Sequence, residues 1–557
     1  MERHEAEVAL ISERLKHFYA TRSPFRVYHG STNSTRLSNK TRANIVDTSR
    51  LNNVLKIDTD AKIAVVEPNV GMGPLAKESL KHGLIPPVVM EFPGITAGGG
   101  FSGTSGESSS FKYGVFESTV EWIEIVLPDG EVRRAERGGE DKDLFWGAAS
   151  SFGTLGVVTL LGVRLIAAGE YVRLEYHLAT DFEAAVEKVR EQTEVEGVDF
   201  VDGIVFAKDR SIICAGRMVT APVPPGEQVV RFTRATDTWF YLHAKKISKR
   251  LARPGSIGVA ADFIPLLDYL FRYNRGAFWT ARYAFKYFLT PFNRVTRAVL
   301  DPFMHTRVMY AALHQSQLSD FHLLQDVSVP MDVAAGFAGW LDKTFGIYPV
   351  WLCPLDVARA DEDSQHGIHA NFCRADAPRV LNFGVWGPLS WDRAEAIEGN
   401  RKLERKVTEL GGMKCLYAQT CYEEEEFWAV YDRQSYDGLR AKYHAAHLPS
   451  VYDKVKRDEK VDEARRKTGW KGKVWGVWPV RGVYGVYKVV RGGDYLLQEK
   501  EKGLGGSGKR TEEIAKAEKT GATRAIEGKE AEKRDIVEKT EGAEATQRKE
   551  AEKIAGA

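Results

Sequence analysis

The chain has 557 residues with 78 basic and 76 acidic side chains, a net charge of +2 that excludes global attraction to nucleic acid. That length exceeds one small core and predicts a two-domain enzyme. Five widely spaced cysteines without a C-x-x-C pair indicate neither a metal site nor a disulfide framework. The charged start (Met-Glu-Arg-His-Glu-Ala-Glu) is not a signal peptide, and no apolar run is long enough for a transmembrane helix, so a cytoplasmic or peripherally attached protein is expected.

Val8, Leu10, Ile11, Leu15 and Phe18 recur at near-helical spacing and predict an opening helix over residues 4–20. A short strand over 25–28 runs into a hydroxyl-rich loop, His29 to Arg36, which suits either a pyrophosphate or a simple turn. Short alternating segments at 45–47, 54–58 and 61–68 read as strands, the last stopping at Pro68. A helix is expected over 70–82 and an extended segment over 84–90.

That segment enters the stretch 90–114, Met-Glu-Phe-Pro-Gly-Ile-Thr-Ala-Gly-Gly-Gly-Phe-Ser-Gly-Thr-Ser-Gly-Glu-Ser-Ser-Ser-Phe-Lys-Tyr-Gly. So many glycines make a poor core but a good anion cradle, because the backbone can approach phosphate closely and point its N–H groups inward. A flexible linker is the competing reading. Gly98, Gly100 and Gly103 spell G-x-G-x-x-G, yet prolines precede the run and Gly106 with three serines weakens any helix after it. A nucleotide-phosphate loop is therefore expected, and a Rossmann unit is not.

Pro128-Asp129-Gly130 predicts a hairpin turn between strands at 120–126 and 131–134. A helix opening at Asp143 leads into Ser-Phe-Gly-Thr-Leu-Gly-Val-Val-Thr at 151–159 and a strand over 157–165. Beyond it come a strand at 170–178, a helix at 181–192, and strands at 201–206 and 210–218 placed to pair. Residues 237–310 mix aromatics with Arg and Lys, which fits a membrane-interface surface, a cap over an apolar pocket, or ordinary helical packing with snorkelling cations.

The ordered series of hydroxyl-rich loop, Val-Glu-Pro strand, glycine-rich loop, Pro-Asp-Gly hairpin and Gly-Thr-Leu-Gly-Val-Val-Thr strand resembles the flavin domain of the vanillyl-alcohol oxidase and p-cresol methylhydroxylase family. Further strings narrow the resemblance to the delta-24-sterol reductases and their diminuto-like relatives. These are Gly-Glu-Ser-Ser-Ser-x-Lys-Tyr-Gly at 106–114, Leu-Gln-Asp with Val-Pro-Met at 324–331, Ile-Tyr-Pro-Val-Trp-Leu-Cys-Pro at 347–354, Leu-Tyr-Ala with Glu-Glu-Phe-Trp between 416 and 428, and Val-Tyr-Asp-Lys at 451–454.

The resemblance implies an α+β fold, with a two-subdomain FAD-binding domain at 1–165 and a substrate or cap domain at 166–460. An aromatic, glycine-punctuated extension at 461–499 suggests an interfacial hairpin, and the Lys/Glu/Ala-rich tail at 500–557 should be disordered. The implied chemistry is reduction of a sterol side-chain double bond by noncovalent FAD, with NADPH as electron source and peripheral contact with the endoplasmic reticulum. No second nucleotide fingerprint marks an NADPH site. Alternatives are an FAD-linked oxidase of another apolar substrate and a catalytically silent flavin- or sterol-binding protein.

Expected cofactor residues are Thr96, Gly98, Gly99, Gly100, Gly103, Thr104, Glu107, Ser108, Ser109, Ser110, Lys112 and Tyr113, with Gly153, Thr154, Gly156 and Val157 along the nucleotide. His29 is read as a loop residue rather than a tether. A proton donor is needed beside the flavin, and the candidates are His322, Asp326 and Tyr417, with Glu107, Lys112 and Tyr113 on the flavin side. His322 and Asp326 lie four apart, which on a helix puts them on one face as a relay or a plain surface hydrogen bond. Tyr417 either donates into a pocket or is satisfied by backbone.

Overall fold

The computed structural model describes residues 1–491, apart from 31–33, 35–39, 221, 257, 360–363, 375, 377–378 and 458–477. Most of the hydroxyl-rich loop, Trp470, Trp475 and the 500–557 tail lie outside the described residues.

The opening helix α1 (Glu2–Ala20) buries Val8, Ile11, Leu15 and Phe18, one stripe at helical spacing. It seats its buried His4 between two carboxylates, Glu67 and Glu124, each 3.0 Å away. Strands β1 (Arg26–Tyr28) and β2 (Ile45–Asp47) pair in parallel. Strands β3 (Val54–Asp58) and β4 (Ile63–Val66) then precede helix α2 (Met72–Leu80) and the short strand β5 (Leu84–Ile85).

The glycine-rich stretch departs from the expected loop: Ala97–Gly103 forms a short helix, α3. Thr96 caps it, its Oγ1 accepting from the Gly99 N–H at 3.1 Å, and it ends where Thr104 turns left-handed at φ 52. Packing explains a helix this poor in propensity. A Cβ on Gly98 would sit 2.6 Å from the Pro68 side chain and 3.0 Å from its carbonyl oxygen, and one on Gly100 would sit 2.4 Å from the Met90 methyl and 3.0 Å from the Phe116 ring, so both positions are tight for any larger residue.

Strands β6 (Val120–Val126) and β7 (Val132–Glu136) make the expected hairpin. After the four-residue turn α4 (Ser110–Tyr113) and helix α5 (Lys142–Ala148), strand β8 (Val157–Arg164) completes an antiparallel sheet in the order β3-β4-β8-β6-β7. The short β9 (Ile166–Ala167) returns to pair with β5.

A second, eight-stranded antiparallel sheet follows. Its strands are β10 (Tyr171–Ala179), β11 (Phe200–Ala207), β12 (Arg210–Val219), β13 (Val259–Pro265), β14 (His322–Pro330), β15 (Val350–Leu355), β16 (Val380–Pro388) and β17 (Met413–Lys414), in the order β13-β10-β12-β11-β15-β16-β14-β17. The helices Phe182–Glu194 and Ala334–Phe345 pack together and share a hydrophobic cluster with this sheet.

The aromatic segment packs mostly inward. Trp239, Phe240, Tyr241, Tyr269, Tyr273, Phe278, Trp279 and Phe285 are buried. Phe278 stacks on Tyr273 at 4.0 Å, meets Trp386 of β16 at 4.4 Å and reaches Phe92 beside the glycine helix at 5.7 Å. The buried Asp202 of β11 anchors the segment, accepting from Arg272 at 2.9 Å, Tyr273 at 2.7 Å and Trp351 at 3.1 Å.

The chain then returns to its beginning. Tyr436 donates to Thr154 at 2.7 Å, Lys442 reaches Asp143 at 2.6 Å, and Lys454 donates to the Phe152 and Gly153 carbonyls at 3.0 and 3.2 Å. Within the extension, Val480–Arg491 is a helix where a hairpin was expected. Gly482 and Gly485, three apart, lie on one helical face and let it settle on Tyr287, Phe288 and the helix Thr306–Ser316.

Candidate active site

One cavity of about 840 Å³ lies among these elements. The glycine helix, the start of β8 and residues after β1 contribute its polar wall. Residues 277–313 contribute an apolar one, including Tyr283, Phe288, Phe303, Met304, Met309 and Leu313. Backbone strain gathers here. Of the ten described non-glycine residues at positive φ, Thr104, Phe152, Ala277, Phe278 and Leu289 line this cavity. Such conformations persist only where surrounding packing imposes them, and they cluster at functional sites.

The cavity wall contains Thr96, Gly98, Gly99, Gly103, Thr104, Gly153, Gly156 and Val157, together with His322, Asp326 and Tyr417. The other expected residues lie outside it. Gly100 is spent on packing against Met90 and Phe116. Glu107 accepts from the backbone and hydroxyls of Ser108 and Ser109, so these side chains satisfy one another in the interior. The Ser110 Oγ accepts from the Glu107 N–H at 2.9 Å. Lys112 turns to Asp199 at 2.8 Å, with its ammonium over the Tyr113 ring, and Thr154 is held by Ser151 and Tyr436. The serine run thus builds the support beneath the cavity wall rather than the wall itself.

His322 and Asp326 belong to β14, not to a helix. Alternation along a strand still points both into the cavity with Leu324 between them, but about 13 Å of strand separates them, too far for a direct relay. The His322 Nδ1 contacts the Leu318 carbonyl at 2.8 Å, and burial pushes its pKa down. Asp326 accepts from Tyr417 at 2.7 Å and from Asn382 at 2.9 Å, while the Tyr417 hydroxyl also accepts from Trp386 at 3.2 Å. Burial raises Asp326 to about 6 despite those hydrogen bonds.

Among the cavity residues not singled out as site residues from sequence, Glu91 and His29 have strongly displaced proton affinities. Glu91 brings a carboxyl whose buried Oε2 has no hydrogen-bond partner among the described residues. Burial, reinforced by the negative charges of Asp326 and Glu107, raises it to about 8, which favours the protonated carboxyl. The signal was a single carboxylate in the apolar run Pro-Pro-Val-Val-Met-Glu-Phe-Pro at 86–93. His29, read as a loop residue, also lines the cavity. Burial and the Lys40 charge push it down to about 3, and its buried Nδ1 has no partner among the described residues.

The lining fits FAD. Arg26, Lys40 and Lys454 supply cations for phosphate oxygens, glycines allow close backbone approach, and the unpartnered His29 nitrogen is a polar position that a ligand would satisfy.

A family profile described as an FAD binding domain matches residues 4–136, which contain α1, the glycine helix and most of the first sheet. With the relatives that follow, this match indicates an FAD-dependent oxidoreductase. The delta(24)-sterol reductase of Homo sapiens is 30% identical over 425 residues, covering 75% of this chain and 78% of that protein. That of Arabidopsis thaliana is 28% identical over 452 residues, covering 76% and 78%. The decaprenylphosphoryl-beta-D-ribose oxidase of Mycolicibacterium smegmatis is 30% identical over 114 residues, covering 20% of this chain and 25% of that protein. The chain belongs to the delta(24)-sterol reductase family.

Proposed function

We propose that this enzyme saturates the side-chain delta-24 double bond of a sterol, with NADPH supplying electrons to noncovalently bound FAD. The observation that carries the reading is Glu91: a carboxyl whose buried Oε2 has no hydrogen-bond partner among the described residues, in a largely apolar cavity beside the glycine helix. Saturating an isolated alkene adds a hydride to one carbon and a proton to the other. Bound FAD supplies the hydride chemistry that side chains lack, and each turnover consumes one NADPH.

The residues do the rest. Thr96, Gly98, Gly99, Gly103, Thr104, Gly153, Gly156 and Val157, with the cations Arg26, Lys40 and Lys454, hold the cofactor. Glu91 donates its carboxyl proton to the alkene carbon opposite the hydride and is then reprotonated from water. Asp326 is a positioning residue. Its charge helps keep Glu91 protonated, and it orients the Tyr417 hydroxyl against Trp386. His322 and the aromatic wall line the sterol space and exclude water, which keeps Glu91 neutral.

The test is anaerobic. The flavoprotein is reduced with NADPH and mixed with a delta-24-unsaturated sterol. Return of the oxidised flavin spectrum with two hydrogens gained by the sterol supports the reading. Reoxidation by oxygen alone moves it to an oxidase, and ligand binding without any reoxidation moves it to a silent binding protein.

A further inference from the structure

Exposed large apolar side chains lie in the segments that line the cavity or directly beside them in the chain. Leu289 is 75% exposed, Val295 70%, Val299 71%, Trp391 68%, Trp478 52% and Val490 67%. Leu289, Trp391 and Trp478 also line the cavity, so the patch continues directly into it. The helix Arg294–Val299 buries no residue at all, although two of its six side chains are valine. The helix Val480–Arg491 turns Gly482 and Gly485 inward and leaves Val483, Tyr487 and Val490 outward, at the i, i+4, i+7 spacing of one face. Folding has placed both faces in solvent, where each exposed valine forgoes its burial.

The charge of the patch is as uneven as its hydropathy. Residues 281–300 carry Arg282, Lys286, Arg294 and Arg297 and no carboxylate, and residues 478–491 carry Arg481, Lys488 and Arg491 and no carboxylate. In a chain whose basic and acidic residues nearly balance, at 78 against 76, this is a local concentration. Apolar side chains interleaved with cations on short helices match a bilayer interface, where the former enter the acyl boundary and the latter meet anionic headgroups. An acidic protein partner would satisfy the cations but not the valines, and a second copy of this face would bring seven cations against seven.

We propose that this collar, formed by residues 281–300 and 478–491, docks on the surface of an anionic lipid bilayer and opens the cavity onto its apolar layer. No helix among the described residues is long and apolar enough to cross a membrane. Docking stands independently of the chemistry; only delivery of a sterol from the bilayer rests on the proposed function.

The full-length holoprotein is tested by flotation with phosphatidylcholine vesicles containing or lacking phosphatidylserine, at low and high salt. Binding to the anionic vesicles, weakened by salt, is expected. The triple variant Val295→Glu, Val299→Glu, Val490→Glu alters only side chains outside the cavity lining and should partition about tenfold less or weaker still. Arg294→Gln with Arg491→Gln should lose the preference for phosphatidylserine. Flavin absorbance and thermal unfolding of each variant report folding. The proposal is overturned if the wild type stays with the soluble fraction, if the folded triple variant floats as well as wild type, or if sedimentation velocity shows a dimer that the triple variant dissolves without any lipid binding. Loss of sterol reduction with flotation intact would count against the catalytic reading, not against docking.

Discussion

In the proposed mechanism Glu91 gives up a proton, and the cavity around it sets how tightly that proton is held. Glu91→Gln keeps the shape and removes the proton. It should leave flavin content and NADPH-driven flavin reduction near wild type while lowering sterol reduction about 100-fold or more in single turnover. Equal single-turnover rates for the two proteins would remove Glu91 from the mechanism. The pH dependence carries a sign. Glu91 donates only while protonated, so the rate should fall as pH rises through about 8. Asp326→Asn deletes a negative charge that raises Glu91, so the same decline should begin at lower pH. Stability is linked to the same proton. The folded value lies above the ordinary 4.5, so the contribution of this group to stability is complete below about 4.5 and lost as pH rises to about 8. The Gln variant should show a flatter stability profile across that window in chemical denaturation. His4 behaves alike for a different reason. Its hydrogen bond to Glu124, and then that to Glu67, outweigh burial and raise it above 6.5, so its stabilising charge is lost as pH rises through the raised value.

At the scale of one element, the glycine helix separates packing from cofactor binding. A Cβ on Gly98 meets the Pro68 side chain at 2.6 Å and its carbonyl oxygen at 3.0 Å, so Gly98→Val should cost about 1–3 kcal/mol by overpacking, read by urea unfolding of the apoprotein. Gly103 is different: a Cβ there finds only the Phe152 ring, at 3.6 Å. Gly103→Leu should therefore leave apoprotein stability close to wild type and abolish flavin retention, because the added side chain occupies the cavity. Full flavin occupancy in that variant would show that the cofactor does not lie against this helix. The same element shows how composition misleads. The glycine-rich composition predicts a loop, whereas a Thr96 cap and the tight seats of Gly98 on Pro68 and Gly100 on Met90 and Phe116 accompany a helix.

At the scale of the whole molecule, the aromatic segment is pinned to the second sheet by Asp202, which is fully buried and shared by Arg272, Tyr273 and Trp351. Asp202→Ala leaves the Arg272 guanidinium buried without its carboxylate. It should destabilise the protein by about 3–5 kcal/mol in urea unfolding and loosen the apolar cavity wall that depends on the segment. A loss below about 1 kcal/mol would mean that water or a rotated Arg272 replaces the carboxylate. The closing helices work over a similar range. The segment that sequence order groups with the second domain returns to the first, placing Lys454 on the Phe152 and Gly153 carbonyls at the cavity wall. Sequence order alone does not disclose this, since the contacts span some three hundred positions.

The sequence by itself determined the family, the α+β class, the antiparallel hairpin and most strands, because alternation, turn residues and helical spacing are local and survive without knowledge of contacts. It also singled out the glycine-rich stretch, part of which lines the cavity, though not which of its residues face inward. Only the tertiary structure decided that Ser108, Ser109 and Glu107 satisfy one another beneath the cavity, that His322 and Asp326 share a strand face rather than a helix, and that the extension supplies a helix. It alone brought Glu91 into one cavity with Asp326 and Tyr417. A carboxyl's proton affinity is set by the charges and solvent around it, and those neighbours lie hundreds of residues away along the chain, where no local pattern records them.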